Sequence, residues 1–280
     1  MKRVAILIPT YKRFDDLIYT LDNTPIDSRA KFIIVANLED DQLDYLKNNY
    51  AEKSILIDER TYGKLGGCKA YNLAYDIALK HNFDYAILYA DDVIPFDENW
   101  LDLIFKNFIE KEGKLGIFST DECHHGSFGW NIIVDCPIAH FFIIDCQVES
   151  ILFNPLYKQY VIDFEIAVRL KHRDVRIDLL PIKLKHLRSG LHRDYAEQNF
   201  NDDVKVLVEK YPQYKTAFLQ LEHHYYLPHS TEVINFKDYN KLKLKPWPQH
   251  KVVENSILNR FKNMLKEFKL INSYTEKSNI

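Results

Sequence analysis

Residues 84–92 read Asp-Tyr-Ala-Ile-Leu-Tyr-Ala-Asp-Asp, an apolar run that ends in two adjacent carboxylates. A continuous apolar run without alternating polar positions is typical of a strand that is covered on both faces. Asp91 and Asp92 then lie where this strand ends. The stretch therefore predicts a buried central strand that brings two acidic side chains to one edge of a sheet.

Working back toward the N-terminus, apolar runs alternate with helical periodicity. The runs span residues 4–9, 32–37 and 54–58, and the helical patterns span about residues 14–21, 40–50 and 68–81. Strands that alternate with helices in this way predict a parallel sheet. The expected fold class is α/β, with a Rossmann-like mixed sheet flanked by helices.

Beyond residue 95 the pattern no longer repeats. It predicts a helix at 100–111, strands at 115–120, around 130–136 and 139–145, a helix at 163–172, a strand at 176–184, a loop at 186–194 and a helix that ends near Tyr211. We therefore expect one α/β domain over residues 1–222, with a nucleotide-binding half (1–95) and an acceptor-side half (96–222).

Residues 223–280 are expected to form a mostly helical C-terminal extension. Within it, residues 253–271 place apolar side chains on one helical face and basic side chains elsewhere. This amphipathic helix is predicted to dock on its own domain or on a partner subunit. The alternative is peripheral contact with a membrane surface.

Composition excludes several classes of function. The 280 residues carry a formal net charge of −3, so no basic field for nucleic-acid binding covers the protein. The four cysteines show no CxxC spacing and are expected to be reduced thiols. The apolar run at the N-terminus is too short for a signal peptide or a membrane span. These features predict a cytoplasmic location.

Ligands of open α/β sheets bind outside the carboxyl ends of the strands. Residues 9–13, 37–40 and 91–92 follow three predicted strands and together supply an aromatic ring, hydrogen-bonding groups and carboxylates. A nucleotide requires this mixture of groups. The same edge is therefore the expected nucleotide-binding site.

Adjacent carboxylates at a buried strand end are unfavourable unless a cation or hydrogen-bond donors face them. Mg²⁺ and Mn²⁺ prefer oxygen ligands and often reach a protein through one or two carboxylates. Asp91 and Asp92 thus predict a divalent-metal site. The alternative is that one of them only caps the following turn.

A second acidic pair, Asp163 and Glu165, opens a predicted helix. A carboxylate here could accept the proton of an attacking hydroxyl. Both residues are also suited to the first turn of a helix, and Glu165 could pair with Arg169 four residues later. Residue chemistry alone leaves the choice between the two open.

Four segments in order resemble the motifs of the family 2 glycosyltransferases with the GT-A fold, over roughly residues 1–195. These segments are VAILIPTYKR (4–13), GKLGGCKAYNLA (63–74) with Gly66, Ala70 and Asn72 matching, YADDVIP (89–95) and YVIDFEIAVRL (160–170). Two positions depart from the family pattern. Ala90 stands where many members have a first acid, and Ile162 stands where the family has a glutamate.

The resemblance implies inverting, metal-dependent transfer of a sugar from a nucleotide-diphosphate sugar to a hydroxyl of a glycan or related acceptor. It implies that Asp91 contacts the ribose, that Asp92 binds Mn²⁺ or Mg²⁺, and that Asp163 is the general base, with Glu165 as the competing candidate. His186 would reach the metal or the diphosphate. The expected nucleotide-sugar site comprises Pro9, Thr10, Tyr11, Arg13, Asn37, Glu39, Gly66, Lys69, Asn72, Asp91 and Asp92.

Other polar groups are weaker candidates. Arg188, His192 and Arg193 make the loop after His186 cationic, which suits a departing diphosphate. The sequence Cys123-His124-His125 suggests zinc, but it lacks a second cluster at ligand spacing.

Two other functions compete with a glycosyltransferase. A sugar nucleotidyltransferase would have a Gly-rich loop after the first strand, and PTYKRFDD (9–16) is not such a loop. A non-catalytic carbohydrate- or nucleotide-binding protein would be consistent with Ala90 and Ile162.

Overall fold

The computed structural model describes residues 1–120, 141–159, 161–187 and 196–212. Its strands are β1 (Val4–Tyr11), β2 (Ala30–Asn37), β3 (Ser54–Asp58), β4 (Tyr85–Leu88), β5 (Val93–Pro95), β6 (Leu115–Thr120), β7 (Phe142–Asp145) and β8 (Ile177–His186). Its helices are α1 (Phe14–Asp22), α2 (Asp40–Tyr50), α3 (Gly67–Lys80), α4 (Trp100–Asn107), α5 (Ile162–Lys171) and α6 (Ala196–Lys210), with short 3-10 helices at Glu59–Tyr62 and Ile109–Lys111.

The strands form one sheet in the order β3-β2-β1-β4-β7-β6-β8-β5. In its first half, β1 is parallel to β2 and β4, and β2 is parallel to β3. The carboxyl ends of four strands therefore meet at one edge, which we call the carboxyl edge. This arrangement confirms the predicted parallel half of the sheet.

The second half of the sheet is mixed, as the sequence predicted. β7 runs antiparallel to β4 and β6, whereas β8 is parallel to β6. β5 pairs antiparallel with β8, so that Val93 lies opposite His186. Because β8 runs in the direction of β4, its last residue also reaches the carboxyl edge.

Two hydrophobic layers cover the sheet and explain its continuous apolar runs. In β1, Val4, Ile6 and Ile8 belong to one layer, whereas Ala5 and Leu7 belong to the other. Helices α1, α2 and α4 contribute to the first layer, and α3, α5 and α6 contribute to the second. A strand buried on both faces has no polar alternation, because neither face meets water.

The predicted strand at residues 84–92 is too long. β4 ends at Leu88, and the chain leaves the sheet before Asp91 and Asp92 form a turn into β5. The sequence did not predict β5, because three residues are too few to show a period. The predicted helix at 100–111 also ends early, at Asn107, where Phe108 leaves helical geometry and buries its ring.

Several predicted features lie outside the described residues: the strand around 130–136, most of the loop at 186–194, and the extension 223–280 with its helix at 253–271. Among the helices that the structure does describe, none combines the length and the apolar character needed to cross a bilayer.

Gly116 in β6 is required by close packing. A Cβ atom there would lie 2.7 Å from Leu180 and 2.9 Å from Phe108, both buried. Gly116→Ala is expected to lower the free energy of unfolding by about 1–3 kcal/mol, because the core must shift to admit the methyl group. Urea unfolding measures this change.

Gly67→Ala is the matched control, because its Cβ would meet only the flexible side chain of Gln159, at 3.3 Å. Alanine also favours the helix that begins at this position. We expect no loss of stability in this variant. Equal stability of the Gly116 variant and the wild type would contradict the packing argument.

Candidate active site

Polar side chains from three parts of the fold meet at the carboxyl edge. β1 delivers Thr10 and, just beyond its end, Arg13; the turn after β4 delivers Asp91 and Asp92; and β8 ends at His186. Hydrogen bonds and ion pairs join all five side chains into one network. The structure thus brings together the two acids, the arginine and the histidine that the sequence singled out.

Asp91 is held from three sides and is only 5% exposed. Its Oδ2 accepts a hydrogen bond from Thr10 Oγ1 at 2.7 Å, and its Oδ1 lies 2.9 Å from Arg13 Nη1. Thr20 Oγ1 donates to its backbone oxygen at 2.9 Å. Burial raises the pKa of Asp91 to about 6, even though the charge of Arg13 opposes the rise.

Asp92 has a different electrostatic environment. Its Oδ2 accepts from Arg13 Nη2 at 3.0 Å, and its Oδ1 lies 3.2 Å from His186 Nε2. Burial by itself would raise the pKa of Asp92, but the bonds and charges of His186 and Arg13 outweigh it and lower the pKa to about 2. Asp92 is therefore a carboxylate at neutral pH.

Arg13 is the cation that makes this acidic pair tolerable. Lys12 adopts a left-handed backbone (φ 56°), which turns the chain at the end of β1. The guanidinium then bridges both acids and also donates from Nε to Asp16 at 2.9 Å. Burial opposes the charged form of Arg13, but the charges of Asp91 and Asp92 more than compensate and raise its pKa.

Asp92 Oδ1 and His186 Nε2 contact each other at a separation that is close to that of two ligand atoms of one divalent ion. Two ligand atoms at right angles, each about 2.1 Å from an octahedral ion, lie about 3.0 Å apart. The separation of Asp92 Oδ1 and His186 Nε2 is 3.2 Å. The described residues contain no group of three or more His, Cys, Asp or Glu side chains suited to a metal. An ion here would therefore need ligands beyond the described side chains, such as water or phosphate oxygens.

The residues expected on the nucleoside side surround the end of β1. Pro9 and Asn37 are half-buried, and Glu39 is exposed before α2. Tyr11 is 41% exposed, and the Nζ atoms of Lys12 and Lys64 each lie 5.6 Å from its ring centre. An exposed aromatic face beside two ammonium groups suits an anionic ligand that has a planar ring.

The start of α3 is bound to the chain between β7 and α5. Asn72 donates from Nδ2 to the backbone oxygen of Phe153 at 2.7 Å and accepts its N–H at 2.8 Å. Gly66 precedes α3 with a φ of 74°, and Lys69 is exposed. The amide of Asn72 is therefore engaged in fixing the chain at Phe153, whereas Lys69 faces solvent.

Sequence reasoning missed Thr20 and Tyr71. Tyr71 donates to the backbone oxygen of Tyr89 at 2.6 Å, just before the acidic turn, and Thr20 supports the backbone of Asp91. Both act through backbone groups, and no sequence motif signals such contacts. Their effect is to fix the path of the chain through residues 89–92.

The two candidate bases on α5 have different surroundings. Asp163 is 8% exposed in the first turn, where its Oδ1 accepts the N–H of Phe164 at 3.1 Å. Glu165 is fully buried and contacts Lys210, Tyr211 and Arg169, the last at 3.3 Å. The i,i+4 pair with Arg169 therefore forms, inside a buried ionic cluster.

The cysteines and the cationic residues after His186 are the remaining candidates for a role in the site. Cys68 and Cys146 are buried free thiols, and burial raises the pKa of each to about 12, so neither is a ready nucleophile. Arg188, His192, Arg193 and the Cys123-His124-His125 sequence lie outside the described residues.

The raised pKa of Asp91 predicts a pH dependence of stability that Asp91→Asn should remove. The pKa is about 6 in the folded chain against an ordinary 3.8, so folding takes up a proton between these values. The free energy of unfolding of the wild type should therefore fall as pH rises from about 4 to 6, by up to about 3 kcal/mol. Asparagine does not titrate and lacks this contribution.

Urea unfolding in a chelator at several pH values across this window measures the difference. Asp27→Asn is the control, because Arg29 lowers the pKa of exposed Asp27 and its titration lies below the window. The Asp27→Asn variant should show the same fall in the free energy of unfolding between about pH 4 and 6 as the wild type. An identical pH profile for the wild type and Asp91→Asn would refute the burial argument.

Comparison with known proteins found matches to the fold but none to the sequence. No family model and no curated protein matches the chain. The mannosyltransferase PcManGT from Pyrobaculum calidifontis, in complex with GDP-Man and Mn²⁺, superposes with a TM-score of 0.57 at 12% identity, covering 77% of this chain and 68% of that chain.

Two further solved structures agree. Glucosyl-3-phosphoglycerate synthase from Mycobacterium tuberculosis, in complex with Mn²⁺, UDP and glucosyl-3-phosphoglycerate, gives a TM-score of 0.55 at 9% identity, covering 74% of this chain and 79% of that chain. Mannosyl-3-phosphoglycerate synthase from Rubrobacter xylanophilus gives 0.53 at 15% identity, covering 76% and 74%. Identities this low establish the architecture alone, and the chain therefore has the GT-A fold of nucleotide-sugar glycosyltransferases.

Proposed function

We propose that this chain is a metal-dependent glycosyltransferase. It transfers a sugar from a nucleotide-diphosphate sugar to a hydroxyl of a glycan or related acceptor, with inversion at the anomeric carbon. The observation that carries the proposal is the buried Asp91-Asp92 turn, bonded to Arg13 and His186 at the carboxyl edge of a GT-A fold. In open α/β sheets this edge is where ligands bind.

The acidic turn is proposed to hold the donor. Asp92 and His186 would hold Mn²⁺ or Mg²⁺ beside the donor diphosphate. A divalent ion there would supply positive charge to stabilise the departing diphosphate. Support comes from the 3.2 Å spacing of the two ligand atoms and from the lowered pKa of Asp92, which keeps it ionised. Solved neighbours of this fold contain Mn²⁺ with GDP-Man or with UDP.

The nucleoside is proposed to bind beside the end of β1. Asp91 accepts hydrogen bonds from the ribose, and the exposed ring of Tyr11 stacks on the base. Pro9, Asn37 and Glu39 are proposed to border this part of the cleft, together with Gly66, which precedes α3, and with Lys69 and Asn72 of α3. Thr10 contributes indirectly, because its hydroxyl is bonded to Asp91 and orients that carboxylate.

Asp163 is proposed as the general base that removes the proton of the acceptor hydroxyl. Glu165 is the weaker candidate, because its carboxylate is fully buried and contacts Arg169, Lys210 and Tyr211. A carboxylate in such a cluster stabilises the fold but has no open side for a substrate.

Asp92→Asn is expected to abolish metal-dependent turnover, because an amide oxygen carries no charge to hold the ion. Release of nucleoside diphosphate from a panel of nucleotide sugars with Mn²⁺ measures it. The control is Asp27→Asn, which also removes an arginine-paired aspartate but at the opposite edge of the sheet. Unchanged activity in Asp92→Asn would rule out the metal assignment.

Asp163→Asn and Glu165→Gln should separate the two acids on α5. We expect Asp163→Asn to lower kcat by about 10²- to 10⁴-fold with little change in stability. Glu165→Gln should lose about 1–3 kcal/mol of stability, because it removes the buried charge that Arg169 and the partly exposed Lys210 contact. Steady-state kinetics at matched folded concentration, together with urea unfolding, test both. The opposite pattern would assign the base to Glu165.

The same assays distinguish a non-catalytic binding protein. A binder would be stabilised by nucleotide in thermal melts but would release no diphosphate from any donor in the presence of Mn²⁺. We expect both stabilisation and release.

A further inference from the structure

Arg13 lies between the two acids of the proposed metal site. Its Nη1 contacts Asp91 Oδ1 at 2.9 Å and its Nη2 contacts Asp92 Oδ2 at 3.0 Å. Asp91 and Asp92 are 5% and 6% exposed, whereas the Arg13 side chain is 25% exposed. One guanidinium is thus forked across two buried carboxylates and remains open to solvent.

Both carboxylate oxygens of Asp92 are engaged in this arrangement. Oδ2 accepts from Arg13, and Oδ1 faces His186 Nε2. A divalent ion bound to Asp92 would place its two positive charges beside the guanidinium. Like charges at this distance repel strongly in a partly buried site. Arg13 and a metal ion therefore compete for the negative charge of Asp92, although they face different oxygens of that carboxylate.

The competition depends on whether a phosphate is present. Without a phosphate, an Arg13 guanidinium that moves away from Asp91 and Asp92 loses two charge-assisted bonds. The contact of its Nε with Asp16, at 2.9 Å, does not replace them. A nucleoside diphosphate offers new anionic oxygens, and the planar fork of a guanidinium matches phosphate geometry well. The diphosphate that binds together with the metal ion can thus also accept hydrogen bonds from Arg13.

We propose that Arg13 supplies the positive charge that Asp91 and Asp92 require until the donor arrives, so that the metal ion binds tightly at Asp92 only together with a nucleoside diphosphate. This inference rests on the proposed function. It gives Arg13 a positioning role: the residue couples metal binding to donor binding, and the acids are paired with a cation in both states.

The test is Mn²⁺ binding to the purified full chain, measured by calorimetry or by the paramagnetic resonance signal of free Mn²⁺, with and without UDP or GDP. Without nucleotide, Arg13→Gln should bind Mn²⁺ at least about tenfold more tightly than the wild type, which corresponds to the loss of a charge-assisted competitor. The factor by which a nucleoside diphosphate strengthens Mn²⁺ binding should shrink in the variant, because that coupling is reciprocal.

Arg29→Gln is the matched control. Arg29 also contacts two aspartates, Asp27 and Asp102, but at the amino end of β2 and with exposed partners. Its loss should leave Mn²⁺ affinity unchanged. If Arg13→Gln does not fold, Arg13→Lys serves instead, because a single ammonium cannot span both acids in the same way; it should also tighten Mn²⁺ binding, by a smaller factor.

The outcomes separate the two proposals. Equal Mn²⁺ affinity of the wild type and the Arg13 variants, with nucleotide-dependent Mn²⁺ binding intact, would overturn the role of Arg13 but leave the metal site standing. Absence of Mn²⁺ binding in every protein, even with UDP or GDP, would overturn the proposed metal-dependent function itself. Tighter Mn²⁺ binding in Arg13→Gln, but not in Arg29→Gln, would support the proposed competition between Arg13 and the metal ion.

Discussion

Two adjacent carboxylates are buried at the edge of an apolar sheet, and each is almost fully withdrawn from water. Charges in such a position are unfavourable unless each oxygen has a donor or a cation nearby. The surrounding contacts meet that requirement from distant parts of the chain: Thr10 and Arg13 reach the pair from β1, and His186 reaches it from β8. The geometry of the whole site follows from this one electrostatic constraint.

The pair is asymmetric, although the two residues are chemically identical. Asp91 is the more deeply desolvated acid, with a pKa near 6, whereas His186 and Arg13 together hold the pKa of Asp92 near 2. A residue that is always ionised suits a divalent ion. Environment rather than residue type therefore divides the proposed roles between the two acids.

A second ionic cluster joins α5 to the end of α6 and to the backbone at Leu152. Glu165 on α5 contacts Lys210 and Tyr211 at the end of α6, and Arg169 binds the backbone oxygen of Leu152 at 2.7 Å. Phe153, the next residue, is bonded to Asn72 on α3. Helices α3, α5 and α6 are thereby connected through one stretch of backbone. Asp163, two residues before Glu165, is held on the same rigid helix.

The amino-acid sequence by itself determined the alternating strands and helices of the first half, because strands buried on two faces appear as continuous apolar runs and the helices between them show an amphipathic period. It also identified Asp91 and Asp92, because acids that follow a buried run are conspicuous. Only the tertiary structure decided their partners. Arg13 lies 79 residues before Asp92, and His186 reaches the acids because the three-residue strand β5 pairs with β8. Glu165, which the sequence could not distinguish from Asp163, proved to be fully buried against residues of α6. Such contacts depend on strand order and helix packing, which bring together residues that no local pattern relates.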